Sequence, residues 1–287
     1  KDEMDLAKMS SLGEISIPKE TEELLKKTYK AWKGKTTVDR TNTLFKDLYG
    51  QNPSFLFKSG MVYDAISITT GTGVADHARV LNEGISGILR EVDERINALP
   101  KKAGNKEKFA FYRAVRIALK AVIAYAHRYA DLAEQTAAKE SDPANKAELL
   151  EIAEICRRVP EFPARNFREA IQSFWFTHLG IQIEQTGCAT SPGRYGQYMY
   201  PFYKKDIDEG NLTREQVLTL LKFQWVKHLE VAVYQGHAYA LALSGHTGQT
   251  ITIGGLDANG EDASTELEEV LWDRVFLDTK LGVERLP

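Results

Sequence analysis

Residues 187–207 read GCATSPGRYGQYMYPFYKKDI. Four tyrosines and a phenylalanine crowd around a Pro-Gly-Arg turn, and the stretch closes on a charged run. A surface loop has no need of the aromatics, and a core helix does not choose Pro and two Gly at its start. Pro192-Gly193 predicts a turn that aims its neighbours inward. Arg194, beside Tyr195 and Tyr198, has the chemistry to stack on a ring or to pair with a carboxylate. Ser191 reads, on these residues alone, as the cap of the helix that follows.

Working outward, helical periods dominate. Residues 16–33, SIPKETEELLKKTYKAWK, form an amphipathic pattern after a Pro start. A second helix over 37–50 is stopped by Gly50. The period is lost over 52–73, where β-branched residues and Gly predict a loop or short strand. Asp76 is placed to cap a helix over 77–99, and 105–139 is one long run with a wide apolar stripe. Ser141-Asp142-Pro143 starts another helix, which Pro160 and Pro163 end. Residues 164–185 are apolar on nearly all sides and predict a buried helix; 213–234 predict another. GQTITIGGL, 248–256, is the clearest strand, and its 249–254 segment is expected to be a buried barrel strand flanked by the helices over 166–185 and 213–232. A turn, a cap and a last helix fill 259–280.

The bulk numbers exclude several classes. The 287 residues are 43% hydrophobic and 27% charged, an ordinary globular balance. A net charge of −3 gives no footprint for nucleic acid or an anionic membrane. No apolar run approaches the roughly 18 residues that a membrane span needs. Two cysteines, Cys156 and Cys188, make no disulfide framework, and a reducing cytoplasm is the expected location. The opening residues do not form a signal peptide, and the lack of an initiator Met with the abrupt end predicts a piece of something longer.

Individual reactive residues carry little. His77, His127, His178, His228, His237 and His246 show no metal-ligand spacing, and His127 and His178 read as core histidines. TTGTGVADH lacks a complete phosphate loop, and no G-x-S-x-G elbow is present. Cys156 sits in an apolar helical period and reads as packing; Cys188 has only Arg194 nearby to lower its pKa and reads as inert.

Three blocks in order resemble the glycyl radical enzymes, the pyruvate formate-lyase-like superfamily. SPGRYGQYMYPFYKKDI resembles that family's S-x-G-R-x-D-Q-Y-x-x-P-Y-Y-x-x-D block, with Gly196 where Asp is usual. Residues 126–184 resemble its helical signature, and GQTITIGGLDANGEDASTELEEVLWD resembles its Q-x-I-T-I-G-G strand and the segment after it. The resemblance runs from about residue 70 to the end. It implies an α/β fold, predominantly helical in this chain, that is part of a ten-stranded α/β barrel jacketed by helices.

The same resemblance implies that a backbone glycyl radical takes a hydrogen atom from a Cys inside the barrel, and the thiyl radical attacks the substrate. Water and oxygen must be kept out of such a site. The R-V-x-G loop for the glycyl radical and the G-C-x-E loop for the thiyl Cys are absent from 1–287. The chain is therefore expected to be a partial domain with no catalytic residue of its own, from a partial record or a split protein. Alone it is expected to be inactive.

Ser191 and Thr72 are the expected substrate-binding residues, sharing an internal cavity with residues 61–72. Thr72 stands where diol dehydratases of the family show His. With the apolar GMVYDAISI before it, this points to the arylacetate decarboxylase branch, exemplified by 4-hydroxyphenylacetate, in which a Ser matching Ser191 holds the substrate carboxylate. A dehydratase or carbon–nitrogen lyase is the alternative, and a catalytically empty helical scaffold the second. The implied partners are a small-molecule substrate, an S-adenosylmethionine-dependent activating enzyme, the remainder of the barrel, a second copy in a homo-oligomer and a small accessory subunit.

Overall fold

The computed structural model describes residues 9–10, 13–14, 18–50, 73–100, 102–184, 190–231 and 250–271. They fall into two compact units: residues 1–73, 182–191 and 231–249, and residues 74–181, 192–230 and 250–287.

In the first unit, β1 (Met9–Ser10) pairs antiparallel with β2 (Gly13–Glu14). Helix α1 (Lys19–Trp32) follows Pro18 and carries Glu20 and Glu22 in its first turn, where acids complement the helix dipole. Helix α2 (Thr37–Tyr49) starts on a capping box formed by Thr36 and Asp39 and ends at Gly50. A parallel bridge joins Gly73 to Thr190.

The second unit is built on helices. Asp76 caps α3 (His77–Ala98) through the Arg79 amide. This helix is broken at Gly84, whose φ is 67°. A Cβ there would lie 2.5 Å from the Glu161 carbonyl oxygen and 2.7 Å from Phe162 Cα, so glycine is required both for conformation and for space. The amides freed by the break, Ile85 and Ser86, donate to the carbonyls of Pro160 and Glu161, each at 2.8 Å. The segment between Pro160 and Pro163 is thus wedged into α3.

Helices α4 (Lys106–Ala137) and α5 (Pro143–Arg158) form an antiparallel pair. Ala126, Ala130, Ala133 and Ala137 recur at helical spacing and are all buried. Their small side chains let α5 approach closely with Ala153, Ile155 and Cys156. Asp142 caps α5 through the Ala144 and Asn145 amides, and Pro143 occupies the first turn.

Helix α6 (Phe167–Glu184) explains its apolar circumference by burying two faces. Phe176 packs with Ala126, Ala130 and Cys156. Phe167, Ala170 and Phe174 join the larger core. That core also takes Leu81 of α3, Tyr195, Met199 and Tyr203 of α7 (Tyr195–Asp208), and Val217, Leu221 and Trp225 of α8 (Arg214–Glu230). Each such fully buried side chain stabilises by roughly 1.5–3 kcal/mol. The Phe167 amide donates to the buried Asp206 carboxylate at 2.8 Å, tying the start of α6 to the end of α7. The short α9 (Glu266–Glu269) adds Leu267.

The strand expected at 249–254 is only partly realised. Thr250 and Thr252 are exposed while Ile251 and Ile253 are half-buried, the alternation of extended chain. Its one described pairing is a parallel bridge from Ile251 to Gly193, with the Thr252 amide donating to the Gly193 carbonyl at 2.8 Å. That edge meets a turn rather than a second strand, so no ladder propagates. The described residues contain one two-stranded sheet and do not themselves close a barrel.

Candidate functional site

The Pro-Gly-Arg turn is real, and its parts are held tightly. Gly193 has φ 69°, and a Cβ on it would meet Val74 Cγ1 at 2.5 Å. The Arg194 guanidinium donates to the Leu256 carbonyl at 2.7 Å, and the Gln197 side-chain Nε2 donates to the Gly254 carbonyl at 3.2 Å. The Tyr198 phenol donates to the Pro192 carbonyl at 2.8 Å. The expected carboxylate or ring partner for Arg194 is thereby corrected to a backbone carbonyl, because the Gly254-Gly255 turn brings main chain, not side chains, to the guanidinium. The two sequence blocks, 191–207 and 250–256, meet through these bonds.

Ser191 is not a helix cap. Helix α7 begins at Tyr195 with Arg194 at its N-cap and no side-chain cap bond. Ser191 is half-buried, and its amide donates to the Gly73 carbonyl at 3.1 Å. Thr72, the stretch 61–72, Cys188, His237 and His246 lie outside the described residues.

Behind the turn, three helices bring together three histidines that sequence spacing had kept apart. His77, His178 and His228 are 1%, 0% and 6% exposed. The His178 and His228 ring centroids are 5.0 Å apart, and those of His77 and His178 6.2 Å. Phe174, Tyr198 and Trp225 pack against them, with centroids at 4.6 Å from His77, 5.6 Å from His77 and 4.5 Å from His228. Neither ring nitrogen of His77 has a hydrogen-bond partner among the described residues. His228 Nδ1 meets the Gln224 carbonyl at 2.9 Å. Burial, reinforced by the neighbouring histidines, pushes His77 down to about 3; burial likewise takes His228 to about 3. Both are neutral at pH 7. No group of three His, Cys, Asp or Glu side chains among the described residues is arranged to hold a metal ion.

His127, read from sequence as buried, is one-third exposed, with Nε2 at 3.1 Å from the Arg157 carbonyl and 3.0 Å from Glu161. Cys156 is packed as expected, and burial raises its thiol to about 11, which makes it a poor nucleophile. Cys156, the one cysteine among the described residues, is enclosed by Ala126, Ala130 and Phe176, so the described residues do not supply the thiyl cysteine that the motif blocks imply. No described helix is long and apolar enough to cross a membrane.

The chain matches the family model described as pyruvate formate lyase-like over residues 1–273. It is 39% identical over 246 residues to the isethionate sulfite-lyase of Oleidesulfovibrio alaskensis, covering 82% of this chain and 30% of that protein. It is 29% identical over 276 residues to the 4-hydroxyphenylacetate decarboxylase glycyl radical subunit of Clostridium scatologenes, covering 93% of this chain and 30% of that one. A solved structure describing 1,2-propanediol dehydration in Roseburia inulinivorans superposes with a TM-score of 0.77 at 33% identity, covering 96% of this chain and 35% of the other. The chain thus spans about a third of the length of these relatives.

Proposed function

The chain belongs to the pyruvate formate lyase-like family of glycyl radical enzymes, and from that premise we propose that the complete polypeptide is a glycyl radical lyase eliminating a leaving group from a small hydroxylated substrate. The observation that carries this reading is the 39% identity to a sulfite-lyase against 29% to a decarboxylase over similar spans. Likeness to a structure of 1,2-propanediol dehydration supports it. The leaving group is then sulfite or water, released as a C–S or C–O bond breaks.

The sequence pattern alone points first to arylacetate decarboxylation, through Thr72 in place of His; the identities move that reading to second place. In both readings Ser191 donates its hydroxyl to an anionic or hydroxyl oxygen of the substrate, and Thr72 lines the same pocket. The glycyl radical supplies hydrogen-atom abstraction through a cysteine thiyl when installed. The residues of this chain bind, orient and exclude water. An S-adenosylmethionine-dependent activating enzyme, the remainder of the barrel, a homo-oligomer and an accessory subunit are proposed as partners.

The test is anaerobic activation of the full-length protein, with the organic radical counted by electron paramagnetic resonance. Isethionate, 1,2-propanediol and 4-hydroxyphenylacetate are then offered separately. Sulfite or aldehyde release supports elimination. Carbon dioxide release from the arylacetate alone overturns it in favour of decarboxylation. A counted radical with no turnover of any of the three overturns the substrate class.

A further inference from the structure

Helix α7 starts without the usual protection. It has no side-chain cap at Arg194 and no acid in its first turn. Fourteen residues of aligned peptide dipoles end there with their positive pole uncompensated by the helix's own side chains. Position 196, in that first turn, is Gly where the resembling block carries Asp.

A carboxylate is nevertheless present at that spot, delivered by another element. A Cβ placed on Gly196 would overlap Cγ, Cδ and Oε1 of Glu268. The Glu268 side chain therefore fills the volume that a side chain at 196 would take. Glu268 is 3% exposed. Its Oε2 accepts the Thr265 amide at 3.1 Å, which fixes the side chain at the start of α9. Its Oε1 is buried and has no hydrogen-bond partner among the described residues. A buried carboxylate oxygen without a partner is retained at a cost, and the positive end of α7 beside it offers the compensating field.

We propose that Glu268 is a positioning residue for the Pro192–Arg194 turn, supplying in trans the carboxylate that an acid at position 196 would supply in cis. Gly196 and Glu268 form one exchanged pair: the small residue makes room, and the long one brings the charge. By holding the first turn of α7, Glu268 fixes Arg194 and Gln197, the two side chains that grip the carbonyls of Leu256 and Gly254. The importance of this turn for turnover rests on the reading of Ser191, its immediate neighbour in sequence, as substrate-facing.

The test uses amide hydrogen exchange of the full-length protein over residues 193–198, a readout independent of turnover. Glu268→Ala should speed exchange there about tenfold. Moving the carboxylate back, in Gly196→Asp with Glu268→Ala, should restore protection to within about twofold of the parent. Glu268→Gln keeps the shape and loses the charge, and should exchange faster than the parent but slower than Glu268→Ala. Asp142→Ala, which removes a cap elsewhere, should leave these amides unchanged. An unchanged rate in Glu268→Ala, or a double variant no better protected than Glu268→Ala, overturns the proposal. On whichever substrate turns over, Glu268→Gln should raise KM by about threefold with kcat nearly constant; equal loss in both overturns the positioning role. If no substrate turns over, the elimination reading fails on its own assay and the exchange cycle still decides for or against Glu268.

Discussion

Two cores sit on opposite faces of α6 and are built on different principles. The one around Phe176 joins it to Ala126, Ala130 and Cys156, with Arg157 paired to Asp131 and Glu134 at the solvent rim. The one around Phe174 is larger and has three imidazoles, two of them held neutral by burial, and the phenol of Tyr195 within its aromatic contacts. The first packs small apolar groups around Phe176 and holds no histidine, so it is indifferent to acid. The second accepts buried polar rings, whose cost rises whenever a proton is available. A scaffold needs only the first kind; the second kind lies directly behind the turn that follows Ser191.

The comparison can be broken first by cavities. Phe174→Ala and Phe176→Ala should each cost about 3–5 kcal/mol in urea unfolding of the full-length protein. Phe174→Ala should also flatten the pH dependence of stability, because the space left beside His77 and His178 admits solvent; Phe176→Ala should not. Equal pH profiles for the two would erase the distinction between the cores.

The pH dependence itself is the next largest effect. His77 and His228 fall from 6.5 to about 3 on folding, so the unfolded chain binds protons that the folded chain does not. Their contribution is fully present above pH 6.5 and is lost as pH falls toward 3. Between pH 6.5 and 5, before most carboxylates titrate, about 2 kcal/mol should disappear for each histidine. His77→Phe should remove about half of that slope, measured as unfolding free energy against pH.

Smaller effects sharpen the other side. Asp142→Ala should lower the stability of the α4–α5 pair by about 1 kcal/mol, read as faster exchange at the Ala144 and Asn145 amides. Arg157→Gln should leave the urea midpoint unchanged, since its ion pairs are at the solvent-exposed rim. A clear loss there would mean that the first core depends on charge after all.

What could be read from sequence was local. The Asp76 and Asp142 starts, the Gly50 stop and the breaks at Pro160 and Pro163 each have their cause within a few residues, and α1 to α8 appear where their periods predict them, while only Glu266–Glu269 of the helix expected within 259–280 is described. The break at Gly84 was illegible, because its cause is the Glu161–Phe162 backbone. So was the histidine cluster: His77, His178 and His228 stand on three helices, and only tertiary packing makes them neighbours. Phe174 and His178, or Gln224 and His228, one turn apart, were the faint signal that these faces are buried. The motif blocks revealed the family. They could not reveal that Arg194 answers to a carbonyl, since backbone acceptors leave no trace in residue identity. Residues 61–72, with Thr72, lie outside the described part of the molecule.

The wedge at Gly84 makes the shape of α3 depend on a distant stretch of chain. Ile85 and Ser86 find acceptors only on Pro160 and Glu161, after two intervening helices have been laid down. The α4–α5 pair needs contacts across one short connection and can form early, whereas the elbow of α3 must await a distant stretch of chain. Until that stretch arrives, the arm of α3 that carries His77 has no fixed angle to the arm that follows. The wedge thus sets the angle at which His77 enters its aromatic box beside Phe174 and Tyr198.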